Sequence, residues 1–247
     1  MTTQHTPPRI SHRDEMSERY FDTLAQMVRS QAYRELAASH AFSYALHFVP
    51  NLPFKRKVMG HAVEELEHFE ACVAIYNEIG AGDLDVICRD RLENDRPIPF
   101  PESFLELGVM QFCYDTASAF HLREYENCSF DPYCRVVGKI LEEEEGHEDF
   151  GAEIVIDYSR DPANLAATQE LFDKWYAVSM RSFGRPGTDG NRFAIESGLK
   201  TRDSAAVAQD YTDELKSVMR SCGLVFPTRE RLEELGTVTS PKLDLSL

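Results

Sequence analysis

No stretch of this 247-residue chain approaches the ~20 consecutive apolar residues that span a bilayer, and the opening MTTQHTPPRISHRDE has no apolar run behind its few basic residues. Neither a membrane span nor a secretion signal is expected, which places the chain in the cytoplasm. Positive charge is also scarce. Lys and Arg number 26 against 42 Asp and Glu, a formal charge of −16, which argues against nucleic acid or an anionic membrane as a general partner. The six cysteines (Cys72, Cys88, Cys113, Cys128, Cys134 and Cys222) form no CxxC pair, so they indicate neither a thiolate metal site nor a disulfide framework. They read as reduced, mostly buried thiols. A GxGxxG fingerprint for a flavin or nicotinamide is missing as well, and no obvious basic cluster for a phosphate is present.

What the chain does have is helical period, with no composition shift that would divide it in two. Residues 1–12 are polar, contain Pro7 and Pro8, and are expected to be flexible. A first helix is predicted from Ser11, with Ser11 and Asp14 as a capping pair, and an inward stripe of Leu24, Val28, Gln31, Glu35, Ala38, Phe42, Ala45 and Val49. Pro50 stops it and Pro53 suits the first turn of a second helix, whose stripe is Val58, His61, Glu65, His68, Cys72, Ile75 and Ile79. Gly80 to Pro101 then shows little period beyond a short element at Leu84 to Ile87 and reads as a long crossover. A third helix runs from near Pro101 to Cys128 with Phe104, Gly108, Gln111, Asp115, Ser118 and Leu122 on one side. Asp131-Pro132 supplies a cap and first-turn proline for a fourth, with Val137, Ile140, Glu144, His147, Gly151 and Ile154 inward.

The spacing repeats. Glu65 lies 30 positions after Glu35, and Glu144 lies 29 after Asp115; each of the later acids is followed three residues on by a histidine, His68 and His147. A Glu and a His at that interval leave one face of a helix about a turn apart. The pattern is a duplicated helical hairpin, and it predicts an all-α four-helix bundle over 13–160. The additional C-terminal helices of 161–247 pack on it or form a subunit interface.

Glu35, Glu65, His68, Asp115, Glu144 and His147 therefore form a six-ligand set on four inward stripes. Carboxylates in a core must be paired, protonated or bound to metal. Oxygen-rich ligation with one imidazole per metal suits two irons, or manganese, about 3–4 Å apart. Four consecutive acids, Glu142 to Glu145, are ordinarily a solvated face, but they cover every side of a helix and the stripe selects Glu144. His61, one turn before Glu65, reads as packing or as a hydrogen-bond partner of a ligand. Gln31 and Gln111 each precede a lone acid by four residues and are expected to orient it. Gly146 beside His147 suggests close approach by another element or by substrate, although ordinary helix crowding would explain it equally.

These motifs, with an Asp at the third-helix position and the segment CSFDPYCRVVGKILEEEEGHEDFG (Cys128 to Gly151), resemble the catalytic A subunits of phenylacetyl-CoA epoxidases in the ferritin-like di-iron oxygenase family. The resemblance covers residues 30 to 155. It implies a ferritin-like fold and a di-iron monooxygenase that activates dioxygen to epoxidise or hydroxylate a small organic substrate, an aromatic acyl-CoA in the relatives. It also implies a separate electron-donor reductase and a homo- or hetero-oligomer. The lack of any flavin or iron–sulfur motif agrees with an external donor. The competing readings are a tailoring hydroxylase on another small molecule, a manganese catalase and ferritin-like iron storage. A metal-free structural subunit would not be expected to keep all six positions.

Overall fold

Ser17 opens the first long helix, α1 (Glu18–Ala45), by accepting a hydrogen bond from the Tyr20 amide at 3.2 Å. The computed structural model describes residues 7–95, 98–240 and 242–247. The start expected at Ser11 is displaced: only a short 3-10 turn, Arg13–Glu15, forms there. The Ser11 hydroxyl is engaged elsewhere, 3.3 Å from an Asp131 carboxylate oxygen. Asn51 caps α2 (Leu52–Glu78) by accepting from the Phe54 amide at 2.9 Å, with Pro53 in the first turn. The short connection makes α1 and α2 antiparallel neighbours.

The crossover holds a full helix, α3 (Leu84–Asn94), capped by Asp83. Its buried residues, Leu84, Cys88 and Leu92, recur every four positions between charged ones, a stripe too thin to stand out in the sequence. The third rod of the bundle is interrupted. It consists of α4 (Phe104–Met110), a π-helical stretch Gln111–Asp115, and α5 (Thr116–Arg123). The fourth is α6 (Asp131–Ser159), where Asp131 is the first helical residue and not the cap; Phe130 takes the cap position without a side-chain bond. Asp131 is drawn away by Arg9, 3.0 Å from its carboxylate. The Ile10 backbone bridges this point, donating to Ser129 O at 2.8 Å and accepting from the Asp131 amide at 2.9 Å. Of the N-terminal residues expected to be flexible, 1–6 lie outside the described residues.

Every residue of the four predicted stripes is buried, and the architecture is an all-α, ferritin-like four-helix bundle with additional C-terminal helices. These are α7 (Leu165–Ser182), α8 (Asp189–Glu196), α9 (Ser204–Cys222) and α10 (Arg229–Glu234). They pack on the bundle. The Trp175 indole donates to Glu106 of α4 at 3.1 Å, Tyr176 of α7 stacks on Tyr211 of α9, and Thr237 donates to Ala177 O at 2.9 Å. The six cysteines are free thiols. Among the described residues no helix is long and apolar enough to cross a membrane.

Two glycines set how closely the third and fourth rods approach. A Cβ on Gly151 of α6 would lie 2.4 Å from the Phe112 amide nitrogen, and one on Gly108 of α4 would lie 2.4 Å from Ile154 Cγ2. The contact at Gly151 falls on the π-helical stretch, where the wider turn leaves carbonyls without their usual partners; Thr116 Oγ1 donates to Phe112 O at 2.7 Å. Gly146, expected to mark a close approach, is exposed with nothing within 4 Å of its would-be Cβ. The close approach is one turn further along, at Gly151. Gly151→Ala is expected to destabilise the protein by ~1–3 kcal/mol through overpacking against backbone. Gly146→Ala is expected to be neutral or to stabilise it by up to ~1 kcal/mol, since alanine is the better helix former. Urea melts of the two variants in the same metal state compare them directly; equal effects would contradict this packing.

Candidate metal centre

Each half of the bundle carries its Glu-x-x-His pair on the second helix of a hairpin, α2 or α6, and its lone acid on the first. Glu35, Glu65, His68 and Glu144 converge so that one donor atom from each lies within 4.8 Å of the others. Asp115 lines the same small void as Glu35, Glu65 and Glu144, with Ser118 beside it. His147 points its Nδ1 into the cluster, 3.1 Å from Glu65 Oε1 and 3.8 Å from Glu144 Oε2. His68 does likewise, with Nδ1 3.6 Å from Glu35 Oε2 and 4.0 Å from Glu65 Oε2. All six predicted residues are at most 2% exposed.

The outer nitrogens of the two imidazoles are held reciprocally. His68 Nε2 lies 2.7 Å from Glu143 of α6, and His147 Nε2 lies 2.9 Å from Glu64 of α2. Each acid stands immediately before the glutamate of one motif and bonds the histidine of the other. A carboxylate can only accept, so Nε2 carries the hydrogen and Nδ1 is left to face the cluster. Sequence reasoning missed Glu64 and Glu143, although both motifs read Glu-Glu-x-x-His and the doublet was the available signal.

Both amides reach the acid they were expected to orient, Gln31 bonding Glu35 and Gln111 bonding Asp115, but their other partners differ. Gln31 donates to Glu35 and accepts from Arg34, whereas Gln111 lies 3.0 Å from His61 Nδ1 and 3.4 Å from the His147 carbonyl. His61 in turn stacks on His147 with ring centres 4.0 Å apart, and Phe42 meets His147 edge-on at 5.7 Å. A second potential metal-holding group, His61, Glu64 and His147, exists on this outer side. Tyr114, also missed, is buried against the void.

The donor set fits a metal on its own chemistry. Buried polar atoms are normally hydrogen-bonded, yet Glu65 Oε2, His68 Nδ1, Asp115 Oδ2, Glu144 Oε2 and His147 Nδ1 all lack a hydrogen-bond partner. They belong to five of the six predicted residues; Glu65, Asp115 and Glu144 line one void, and the two imidazole nitrogens lie within 4.0 Å of Glu65. Without a cation the acids repel one another. Burial, followed by the charges of Glu144 and Glu35, raises Glu65 well above the usual carboxylate range. Burial and then Glu35 likewise raise Asp115 and Glu144. Burial also pushes Glu35 up, but the His68 imidazole, the Glu65 carboxyl and the Gln31 amide together outweigh it and hold it at about 2. Burial lowers His147, and burial with His147 nearby lowers His61 to about 3.

A sign results for the metal-free protein. A carboxyl raised in the folded state stabilises the fold below its ordinary pKa, and that contribution is lost as pH climbs towards the raised value. His61 and His147, lowered on folding, act oppositely as pH falls through the ordinary histidine range. The difference between wild type and Glu144→Gln isolates the carboxyl. The variant is expected to gain on wild type as pH rises above the ordinary carboxylate range, by on the order of 1.4 kcal/mol per pH unit, or ~3–5 °C for a chain of this size. Thermal melts of both proteins in chelator from pH 5 to 8 read it. Parallel curves would show that Glu144 is not under this repulsion.

A search of curated proteins finds no match. The family model for phenylacetic acid catabolic proteins, by contrast, matches residues 1–238, nearly the whole length and all six buried donors. With its bundle, its crossover and its duplicated motifs inside that match, the chain belongs to the phenylacetic acid catabolic protein family.

Proposed function

We propose that this chain is the metal-bearing subunit of a non-haem di-iron monooxygenase acting on a small organic substrate, with an aromatic acyl-CoA as the class to which the family points. The observation that carries this reading is the reciprocal arrangement of two inward-facing imidazoles, each backed by a carboxylate from the opposite motif, around four buried acids. Glu35, Glu65 and His68 would hold one iron, and Asp115, Glu144 and His147 the other. Glu65, within 4.0 Å of both imidazoles, is placed to reach either. Oxygen-rich ligation with one imidazole per metal suits iron, and manganese next. When bound, the pair would supply the reduction of dioxygen and the transfer of one of its oxygen atoms.

The chain's own residues do the rest. Glu64 and Glu143 fix the imidazole tautomers, and their backing raises ligand basicity. Gln31 holds the Glu35 carboxylate in place, and Gln111 pins His61 against His147. Phe42 and His61 close the outer side against water. The protons that Glu65, Asp115 and Glu144 hold without metal leave on metal binding, so uptake strengthens as pH rises. Inserting one oxygen atom of dioxygen and releasing the other as water consumes two electrons and two protons. No flavin fingerprint or cysteine cluster in this chain provides the electrons, and a separate reductase is the donor in this reading. The acidic surface suits a donor with a basic face.

Glu64→Gln and Glu143→Gln are each expected to weaken metal binding ~10–100-fold while the protein stays folded, read by competition with a chromophoric chelator. The wild-type chain should take up two irons and, after chemical reduction, consume dioxygen. It should not turn over on NAD(P)H alone. Uptake of iron in large excess over two per chain would favour storage, and turnover on NAD(P)H without a second protein would remove the external donor.

A further inference from the structure

Two cavities share a wall beside the acid cluster. One, of about 240 Å³, lies between α1, α3, the π-helical stretch and α7, and its lining includes Arg34, Arg91, Tyr114 and Arg181. The other, of about 290 Å³, shares Ser30, Arg34 and Ser182 with it and adds Arg185 and Lys200. Among the described residues that line the pair, five carry permanent positive charge and none is a carboxylate. In a chain with 42 acids against 26 bases, that segregation is a local reversal of the molecule's charge. A concave, cationic site in an acidic protein concentrates anions.

Arg91 pairs with Asp95 at 3.6 Å, whereas the other cations of the cleft have no carboxylate partner among the described residues. Arg34 is 8% exposed; it donates to Gln31, but its Nε has no hydrogen-bond partner, and no carboxylate of the described residues lies within ion-pair distance. Burying a guanidinium costs several kcal/mol unless it is compensated, and Arg34 is compensated in part by the charge of Glu35, beyond ion-pair distance, and by the Tyr125 hydroxyl. Arg181 donates only to neutral oxygens, Leu235 O at 2.9 Å and Thr237 Oγ1 at 3.1 Å, and Lys200 bonds Ser204 Oγ at 3.1 Å. Elsewhere the pattern is different: Arg202 and Arg231 each meet two carboxylates. Arg34 alone could be explained as a counter-charge to the adjacent acids. Arg181, Arg185 and Lys200 do not line the void that holds those acids, and that explanation does not reach them.

Arg34 and Tyr114 line both the first cavity and the void containing Glu35, Glu65, Asp115 and Glu144. One layer of side chain separates the cleft from the acid cluster. We propose that this cleft binds an organic oxyanion, a carboxylate or a phosphate ester, through the buried Arg34 and the half-buried Lys200 with the exposed rim cations Arg181 and Arg185. The uncharged part of the same molecule is directed to the wall formed by Arg34 and Tyr114. That this molecule is the substrate rests on the oxygenase reading; that the cleft takes an organic anion does not.

The test is isothermal titration of the full chain, metal-free and iron-loaded, at constant ionic strength. The probes are phenylacetate, its uncharged amide phenylacetamide, coenzyme A and inorganic phosphate. Phenylacetate, coenzyme A or both should bind saturably in either metal state, the amide at least tenfold more weakly than phenylacetate if phenylacetate is the anion bound. Which organic anion binds identifies the oxyanion. Arg181→Gln and Arg34→Gln should each weaken the anion at least tenfold, whereas Arg160→Gln, on the far end of α6, should not. Arg185→Gln, at the exposed rim, should weaken it severalfold, and with the exposed Arg181 variant it carries the test should the buried Arg34 variant fail to fold. No saturable organic anion, equal binding of acid and amide with no binding of coenzyme A, binding of inorganic phosphate alone, or wild-type affinity in the Arg181, Arg34 and Arg185 variants would each overturn the proposal. Because binding is read on metal-free protein, its failure with dioxygen consumption intact removes the cleft alone, and the converse removes the oxygenase reading alone.

Discussion

Four carboxylates buried within reach of one another are the constraint on which this structure turns. Ionised together in a core they repel and lack solvation, and such a cluster persists only when protons or cations neutralise it. The surrounding architecture addresses that problem at every level. Long helices place the acids at one depth, imidazoles present a lone pair inward, and carboxylates outside them hold the rings in that orientation. Arg34 adds a fixed positive charge behind Glu35. Atoms of Glu65, His68, Asp115, Glu144 and His147 are among the buried polar atoms left without a hydrogen-bond partner.

Packing is shaped to the same end. Gly151 lets the fourth rod meet the backbone of the third, Gly108 makes room for the Ile154 side chain, and the π-helical stretch lies at the Gly151 contact, ending on Asp115. A π turn changes the angular phase of the helix beyond it, so the residues at the two ends of the stretch, Gln111 and Asp115, are buried without the rod being regular throughout. The C-terminal helices close the opposite side of that rod through Trp175 and Glu106.

Much of this was legible in the chain. Glu35, Glu65, Asp115 and Glu144 stand on apolar stripes of period 3.6, and a charged residue recurring there in two hairpins has few explanations other than a shared ligand. The features that escaped share a cause. Glu64 and Glu143 are acids beside acids, and nothing local separates an inward-bonded carboxylate from a solvated one. The π-helical stretch depends on Gly151, 36 positions after Asp115 and on another helix. The cleft draws Arg34, Arg91 and Arg181 from three helices, so no run of basic residues announces it. Asp131 is an adequate cap by residue type but was claimed by Arg9 and Ser11, a contact set by the N-terminal segment and not by the helix.

The proposed function requires chemistry at two metals, and the claim beneath everything else is where those metals would sit. The structure offers two groups of donors, the inner set around Glu65 and Glu144 and an outer set of His61, Glu64 and His147. Anomalous diffraction at the iron edge from crystals of the iron-loaded protein distinguishes them. The account predicts two peaks about 3–4 Å apart, both within bonding distance of the inner carboxylates, with Nδ1 of His68 on one and Nδ1 of His147 on the other. A single peak on the outer set, or iron bound by neither, would contradict it.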